Sequence, residues 1–152
     1  MKQLLYLLLA VGVFLLDRIT KWLIITSRIT IQQVTPWLSW YVHYNRGVSW
    51  SFLHAKNTSV FVLVSLIVLA ITMMVAVYAY DQWQQDKMIW GQLLIIAGSL
   101  SNVVDRFVYS GVVDFIYMHI HDWSFAIFNI ADVAIVLGVC IMIAQEVYYQ
   151  HA

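Results

Sequence analysis

Apolar residues fall into four long runs separated by polar or aromatic connections, and this pattern predicts four membrane-spanning helices, at residues 4–25, 59–80, 88–105 and 130–149. A span needs about 20 mostly apolar residues, and the second run meets this without a charge. The other three carry polar residues toward one end, which is typical of helices whose ends line a site. The first run resembles a secretory signal, but no small-residue cleavage site follows it, so we expect a retained helix.

The connections between these runs differ in length and composition. Residues 81–87 form a short polar turn, whereas residues 26–58 are rich in β-branched and aromatic residues, which favours a small sheet or hairpin. Residues 106–129 form a second long connection on the same side as 26–58. We therefore predict one membrane-embedded domain over 1–152, all-α, with a small extracytoplasmic β-sheet or hairpin between helices 1 and 2.

Composition supports a membrane protein and excludes some classes of partner. The 152 residues are 62% hydrophobic and only 11% charged, against about 25% charged in a typical soluble domain. The net charge is zero, so nothing indicates a nucleic-acid partner. The single cysteine, Cys140, lies in an apolar run and is predicted to be a buried, inert thiol.

Ionisable residues gather at the ends of the predicted spans, beside the two long connections. Most have a polar neighbour at helical spacing: Asp17 with Lys21, Asn102 with Asp105 and Arg106, and Asn129 with Asp132, while Asp114 stands between apolar residues. An ionisable group at membrane depth is costly, which makes each a functional candidate. The simplest alternative is that they are structural salt bridges, above all Asp17–Lys21.

The balance of charges argues against a purely structural set. Four acids face three bases, Lys21, Arg46 and Arg106, so at least one carboxylate is left without a cation. Two carboxylates brought together at low dielectric cannot both ionise and so share a proton. Such a pair supplies both a base for water and an acid, which is the arrangement of aspartic proteases.

Five short segments carry a family resemblance: DRITK at 17–21, NRGVSW at 45–50, AGSLSNVVDR at 97–106, VVDF at 112–115 and FNIAD at 128–132. In this order and spacing they resemble the sequence boxes of bacterial lipoprotein signal peptidases (signal peptidase II), an aspartic peptidase family. The resemblance covers the whole chain. Two departures are Ser101, where glycine is usual, and the ending VSW of the second box.

The resemblance implies a role for each matching residue. The catalytic dyad would be Asp114 and Asp132. Substrate-binding residues would be Asn45, Gly47, Asn102, Arg106 and Asn129. Supporting residues would be Asp17, Lys21 and Asp105, the last of which we expect to position Arg106. No metal and no cofactor are implied.

The resemblance also implies an activity and a location. The enzyme would remove the signal peptide from diacylglyceryl-prolipoproteins, cutting before the modified cysteine. We expect a monomeric, multi-pass protein of the bacterial cytoplasmic (inner) membrane, in contact with membrane lipid, with its active site toward the outer leaflet. Counting basic residues alone favours the opposite orientation, but charges that build a site are poor topological signals.

Three other interpretations start from the same residues. A serine–lysine dyad would use Lys21 as the base and Ser49, Ser51, Ser99 or Ser101 as the nucleophile, although Asp17 would hold Lys21 protonated. A metal site would use His119, His121, Asp122 and Asp114. A non-enzymatic proton-coupled membrane carrier subunit would need acids spaced across the membrane, whereas these acids gather at one end.

Overall fold

The computed structural model describes residues 1–47, 58–120 and 123–151. In this part of the chain there are four helices: α1 (Lys2–Thr26), α2 (Thr58–Gln84), α3 (Trp90–Tyr109) and α4 (Ile130–His151). There are four strands: β1 (Ile31–Thr35), β2 (Leu38–Asn45), β3 (Val112–Ile120) and β4 (Trp123–Phe128). The strands form one antiparallel sheet in the order β1-β2-β3-β4.

The sheet is larger than the sequence predicted, and the fold is not all-α. The sequence predicts a hairpin between the first two helices only, but β3 and β4 come from the connection between α3 and α4. The sequence of β3, VVDFIYMHI, has the β-branched and aromatic composition of a strand, and β2 supplies its edge partner. This pairing puts Asn45 opposite Val112 and His43 opposite Asp114. Residues from both connections therefore meet on adjacent strands.

Two of the four helices, α2 and α4, are long and apolar enough to cross a membrane, with mean hydropathies of 3.0 and 2.1. Helix α1 has an apolar run that is followed by Asp17, Arg18 and Lys21. Its polar residues face the other helices and its apolar residues face outward. Asp17 and Lys21 are fully buried against the other helices, whereas Leu4 and Leu8 on the outer surface are about 60% exposed.

Helix α3 is the centre of the bundle and packs against α1, α2 and α4. Its contact with α4 is made by small residues, because these let two backbones approach closely. A Cβ added to Gly138 would lie 2.7 Å from the carbonyl oxygen of Gly91 and 2.9 Å from the backbone nitrogen of Ile95. Cys140 is two positions, or about 200°, further round α4. It is therefore exposed on the outer surface, and the prediction that it is buried was wrong.

Replacing Gly138 by alanine should therefore destabilise the protein, by about 1–3 kcal/mol, because the new methyl group meets backbone atoms that cannot move aside. Gly12→Ala is the matched control, since nothing lies within 4 Å of a Cβ at that position. There the better helix propensity of alanine should leave stability unchanged or slightly higher. Thermal unfolding in one detergent compares the two variants, and equal melting temperatures would contradict the close α3–α4 contact.

Candidate active site

A buried ionic cluster ties α1 to α3. The ammonium group of Lys21 lies 2.7 Å from Asp17 Oδ2, 2.7 Å from Asp105 Oδ2 and 2.8 Å from Asn102 Oδ1. A lysine ammonium has three N–H donors, so these three acceptors use all of them. Asp17, Lys21 and Asp105 are all fully buried. Such a cluster is stable only because each charge has a partner.

The sequence predicts that Asp105 positions Arg106, but in the structure Asp105 contacts other groups. One of its oxygens pairs with Arg18, and the other accepts hydrogen bonds from Lys21 and from the backbone N–H of Val113, at 3.1 Å. Neighbouring helical residues point about 100° apart, so Arg106 faces elsewhere. Its Nη2 donates to the carbonyl oxygen of Gly47 at 2.6 Å.

Arg18 is the functional-site residue that the sequence interpretation missed, having been read only as part of the DRITK segment. Besides pairing with Asp105, it donates to the backbone oxygen of Ser101 at 3.2 Å. With Arg18 the acids face four bases instead of three. The conclusion that some carboxylates have no cation partner still holds, because the ion pairs among the described residues involve only Asp17 and Asp105.

Asp17 joins three helices at one point. Its Oδ1 accepts the backbone N–H of Ala131 at the start of α4, at 2.8 Å, and its Oδ2 accepts the hydroxyl of Ser101 on α3, at 2.6 Å. Ser101, which stands where glycine is usual in the family it resembles, therefore adds a buried hydrogen bond. Helix α4 thus starts at a point fixed by α1.

The first turn of α4 fixes the position of Asp132. Asn129 precedes the helix, and its side-chain oxygen accepts the N–H of Asp132 at 2.9 Å; Asp132 in turn accepts the N–H of Asn129 at 3.3 Å. This reciprocal arrangement is a capping box, with aspartate in place of the usual glutamate. It holds the Asp132 carboxylate at the positive end of the helix dipole, where an anion is favoured.

Three asparagine side chains donate to the two carboxylates of the predicted dyad. Asp114 accepts from Asn129 at 2.7 Å and from Asn45 at 3.0 Å, and Asp132 accepts from Asn102 at 2.9 Å. The five residues come from β2, α3, β3, the residue before α4, and α4 itself. The fold therefore brings together residues that are far apart in sequence.

The orientation of each amide follows from what its oxygen contacts. The oxygen of Asn45 accepts the N–H of Gly47 at 2.9 Å, and the oxygen of Asn102 accepts from Lys21. A backbone N–H and an ammonium group donate only, so the NH₂ end of each amide must face the other way. That end faces a dyad carboxylate in both cases. Asn129 is fixed likewise by the N–H of Asp132.

The environment of Asp114 is unusual for a carboxylate. The residue is 2% exposed, and burial followed by the neighbouring charge of Asp132 raises its pKa to about 7, against the opposing hydrogen bonds from Asn45 and Asn129. The protonated form of Asp114 is therefore available near neutral pH, where an ordinary aspartate is ionised. A proton held next to a second carboxylate is what shared acid–base work requires.

Both carboxylates face a cavity of about 560 Å³, which is within the usual range for a ligand site. Its polar wall is formed by Asn45, Gly47, Ser99, Asn102, Arg106, Asp114 and Asp132. Its apolar wall is formed by Val68, Val112, Phe125, Ile127, Phe128, Val133, Ile135, Val136 and Leu137. Asn129 is fully buried and does not line the cavity, so it lies behind the two carboxylates.

The rival sites are not assembled in the described part of the chain. The Lys21 ammonium group is engaged by Asp17, Asp105 and Asn102 and contacts no serine hydroxyl in the ranges that the structure describes, and the hydroxyl of Ser101 donates to Asp17. His119 hydrogen-bonds to Ser39 at 2.9 Å, and no group of three or more His, Cys, Asp or Glu able to hold a metal occurs among the described residues. Ser49, Ser51, His121 and Asp122 lie outside them.

The chain is similar to one family of known proteins along nearly its whole length. A family model described as signal peptidase (SPase) II matches residues 9–148. A lipoprotein signal peptidase of Aquifex aeolicus is 36% identical over 152 residues, covering 97% of this chain and 89% of the relative. One of Coxiella burnetii (strain Dugway 5J108-111) is 36% identical over 141 residues, covering 91% and 86%.

Two solved structures are similar in fold as well as in sequence. Both are described as bacterial membrane enzymes. One has a TM-score of 0.75 and 30% identity and covers 94% of this chain and 87% of its own. The other has a TM-score of 0.70 and 31% identity and covers 91% and 90%.

Proposed function

The chain belongs to the signal peptidase II family, whose members remove signal peptides from lipoprotein precursors, and we propose that Asp114 and Asp132 form its catalytic dyad. The observation that carries this proposal is the contrast between two kinds of buried carboxylate. Asp17 and Asp105 are neutralised by cations. Asp114 and Asp132 instead receive amide and backbone N–H donors and face the cavity.

We infer the starting states of the two carboxylates from their hydrogen bonds and their positions. Asp132 lies in the first turn of α4 and accepts a backbone N–H, which favours its ionised form. Asp114 lies on a strand in a poorly hydrated position, which favours its protonated form. Asp132 is then the base and Asp114 the acid, and the pair titrates as one coupled unit.

Catalysis would proceed by water attack without a covalent intermediate. Asp132 takes a proton from water while the resulting hydroxide bonds to the scissile carbonyl carbon, and Asp114 gives its proton to the carbonyl oxygen. The tetrahedral diol then collapses as the C–N bond breaks. The proton on Asp132 passes to the leaving amine, and Asp114 regains one from the diol hydroxyl. The products are a carboxylic acid and the new amino terminus of the lipoprotein.

We assign the cavity to the diacylglyceryl-prolipoprotein because one wall is polar and the other apolar. Its apolar residues on α2 and α4 would hold the lipid, whose affinity rises with each CH₂ removed from water. Asn45, Gly47 and Arg106 would contact the peptide backbone near the dyad. Asn102 would both line the site and hold Asp132. Asn129, which is buried, would position Asp114 without touching the substrate.

We also propose that all four helices of a single domain span the bacterial inner membrane, with the dyad toward the outer leaflet. At 1.5 Å per residue, α1 and α3, with 25 and 20 residues, are about 37 Å and 30 Å long. This length is sufficient to cross a hydrocarbon core of about 30 Å. The described chain needs no second copy to complete the dyad, which supports a monomer.

Cleavage of a diacylglyceryl-prolipoprotein by the purified protein in detergent tests this function. Intact-mass analysis should find a signal peptide that ends directly before the modified cysteine. The Aquifex aeolicus relative, assayed in parallel, shows whether the substrate preparation can be cleaved. If the relative cuts this substrate and the present protein does not, the proposed activity is wrong.

The pH dependence of turnover should report the proton on Asp114. Its pKa is raised to about 7, so the protonated acid is present below that pH and is lost above it. We therefore expect kcat to fall about tenfold per unit as pH rises beyond about 7. Stability should fall over a lower range, as pH rises from the ordinary aspartate pKa of about 4 to about 7, because the folded state binds this proton more tightly. A kcat that keeps increasing to pH 9 would contradict this assignment.

Chelators should leave turnover unchanged. The N–H groups of Asn45, Asn102 and Asn129 point at the carboxylate oxygens, and their positive ends would oppose a cation bound there. We expect the same rate before and after dialysis against EDTA, and after Cys140→Ala. Loss of activity that added zinc restores would instead assign the reaction to a metal.

A further inference from the structure

Ser99 stands on the cavity side of α3, below the dyad. Ser99, Asn102 and Arg106 follow one another at spacings of three and four, so they form one stripe of α3, and all three line the cavity. Ser99 precedes Asn102 by three residues, so it lies about 4.5 Å from it along the axis of α3. Because β3 follows the C-terminal end of α3, Ser99 is farther from the sheet than Asn102 is. The hydroxyl is therefore one turn deeper into the apolar part of the site.

The Ser99 hydroxyl has no hydrogen-bond partner among the residues that the structure describes, although the residue is only 8% exposed. Three other serine and threonine hydroxyls in the helices have partners: Ser65 and Thr72 donate to the carbonyl oxygen four residues earlier, both at 2.8 Å, and Ser101 donates to Asp17. The hydroxyl lies on the cavity wall, so a ligand that displaces water from the cavity leaves it without a partner unless the ligand supplies one, and an unpaired buried polar group is costly. Its position on the cavity wall suggests that a ligand supplies the partner.

The lipid part of the substrate offers one kind of partner for this hydroxyl. A diacylglyceryl group has two ester carbonyls, which accept hydrogen bonds, and otherwise only hydrocarbon and a thioether. These esters lie a few bonds from the scissile peptide bond, so they reach about one helical turn below the dyad. Val136 and Leu137, which line the cavity about one turn beyond Asp132 on α4, are apolar and offer the esters no donor.

We propose that Ser99 Oγ donates a hydrogen bond to an ester carbonyl of the diacylglyceryl group and so distinguishes an acylated from an alkylated lipid. This inference rests on the proposed function, because it places the lipid in the cavity beside the dyad. The bond is formed in the bound substrate and persists in the transition state. It should therefore act on KM and leave kcat nearly unchanged.

A substrate pair that differs only in the carbonyl groups tests this role. One synthetic prolipopeptide carries a diacylglyceryl cysteine, and the other carries the dialkyl ether of the same chain length, which lacks both carbonyls. The wild-type protein should favour the diester about 5- to 10-fold in kcat/KM, as expected for one neutral hydrogen bond. Ser99→Ala should lower kcat/KM for the diester by that factor and leave the diether within twofold.

Two further variants keep the result interpretable. Ser99→Thr retains the hydroxyl and should retain the preference for the diester. Ser101→Ala, on the same helix, loses a hydrogen bond to Asp17 outside the cavity. It should lower the melting temperature and change kcat/KM for the diester and the diether by the same factor. The proposal is overturned if Ser99→Ala changes kcat/KM equally for the two substrates or changes it for neither. Failure of the dyad assignment would appear instead as persistent cleavage by the aspartate variants.

Discussion

Asp114→Asn and Asp132→Asn should each lower the rate of prolipoprotein cleavage by about a thousandfold or more, while the protein still folds. An amide cannot take a proton from water, and it cannot supply the acidic proton that the carbonyl oxygen needs. Binding of substrate in the cavity should persist, because the apolar wall is untouched. The measurement is the single-turnover rate with a diacylglyceryl-prolipoprotein in detergent.

Asp105→Asn is the matched control for Asp114→Asn. It removes the same charge from another buried carboxylate, which precedes Asp114 by nine residues. Asp105 pairs with Arg18 and Lys21, so this variant should melt early and keep part of its activity. Asp114→Asn should melt no earlier than the wild type at pH 8, because it removes one of two repelling carboxylates. If Asp105→Asn were stable but inactive and Asp114→Asn active, the dyad would have to be rebuilt around Asp105.

Lys21→Met should cause the largest loss of stability, about 3–5 kcal/mol. The ammonium group is fully buried and serves Asp17, Asp105 and Asn102, so methionine leaves buried acceptors without a donor. Activity should fall too, since Asn102 loses the contact that turns its NH₂ group toward Asp132. Equilibrium unfolding in mixed micelles measures the first effect, and kcat measures the second.

The double variant Lys21→Met with Asp17→Asn separates the two roles of Lys21. It removes both members of one ion pair, and Arg18 remains to neutralise Asp105. Stability should return toward that of the wild type, while kcat stays low because Asn102 remains unconstrained. If stability and kcat recovered together, Lys21 would serve only to balance charge.

Hydrophobic patterning was enough to predict all four helices, because runs of apolar residues can be recognised one segment at a time. The observed α2 and α4 begin within one residue of the predictions and end within a few. The polar ends also indicated a site. Local pattern identifies which segments are helical and where polarity concentrates.

The sheet was predicted only in part, because the sequence of one segment does not show which distant segment it will pair with. β1 and β2 were expected from their composition, whereas β3 and β4 were treated as a connection. The edge that β2 offers to β3 exists only in the folded protein. For the same reason the contact between Asn45 and Asp114 could not be derived from spacing.

The roles of the acids were separated only by three-dimensional contacts. On spacing alone, Asp105 was assigned to its neighbour Arg106, and Arg18 was not considered. The structure pairs Asp105 with Arg18 across 87 positions of sequence. The charge count omitted Arg18, and only the positions of the cations show which carboxylates have no ion pair among the described residues.

The most direct test of the dyad compares four proteins in one single-turnover assay: the wild type, Asp114→Asn, Asp132→Asn and the variant carrying both substitutions. Two groups that act as one unit give strongly non-additive effects, so the double variant should be no slower than the slower single variant, within about threefold. A double variant slower by the product of the two single effects would show that the two carboxylates act independently. Near-normal turnover by either single variant would exclude that residue from catalysis.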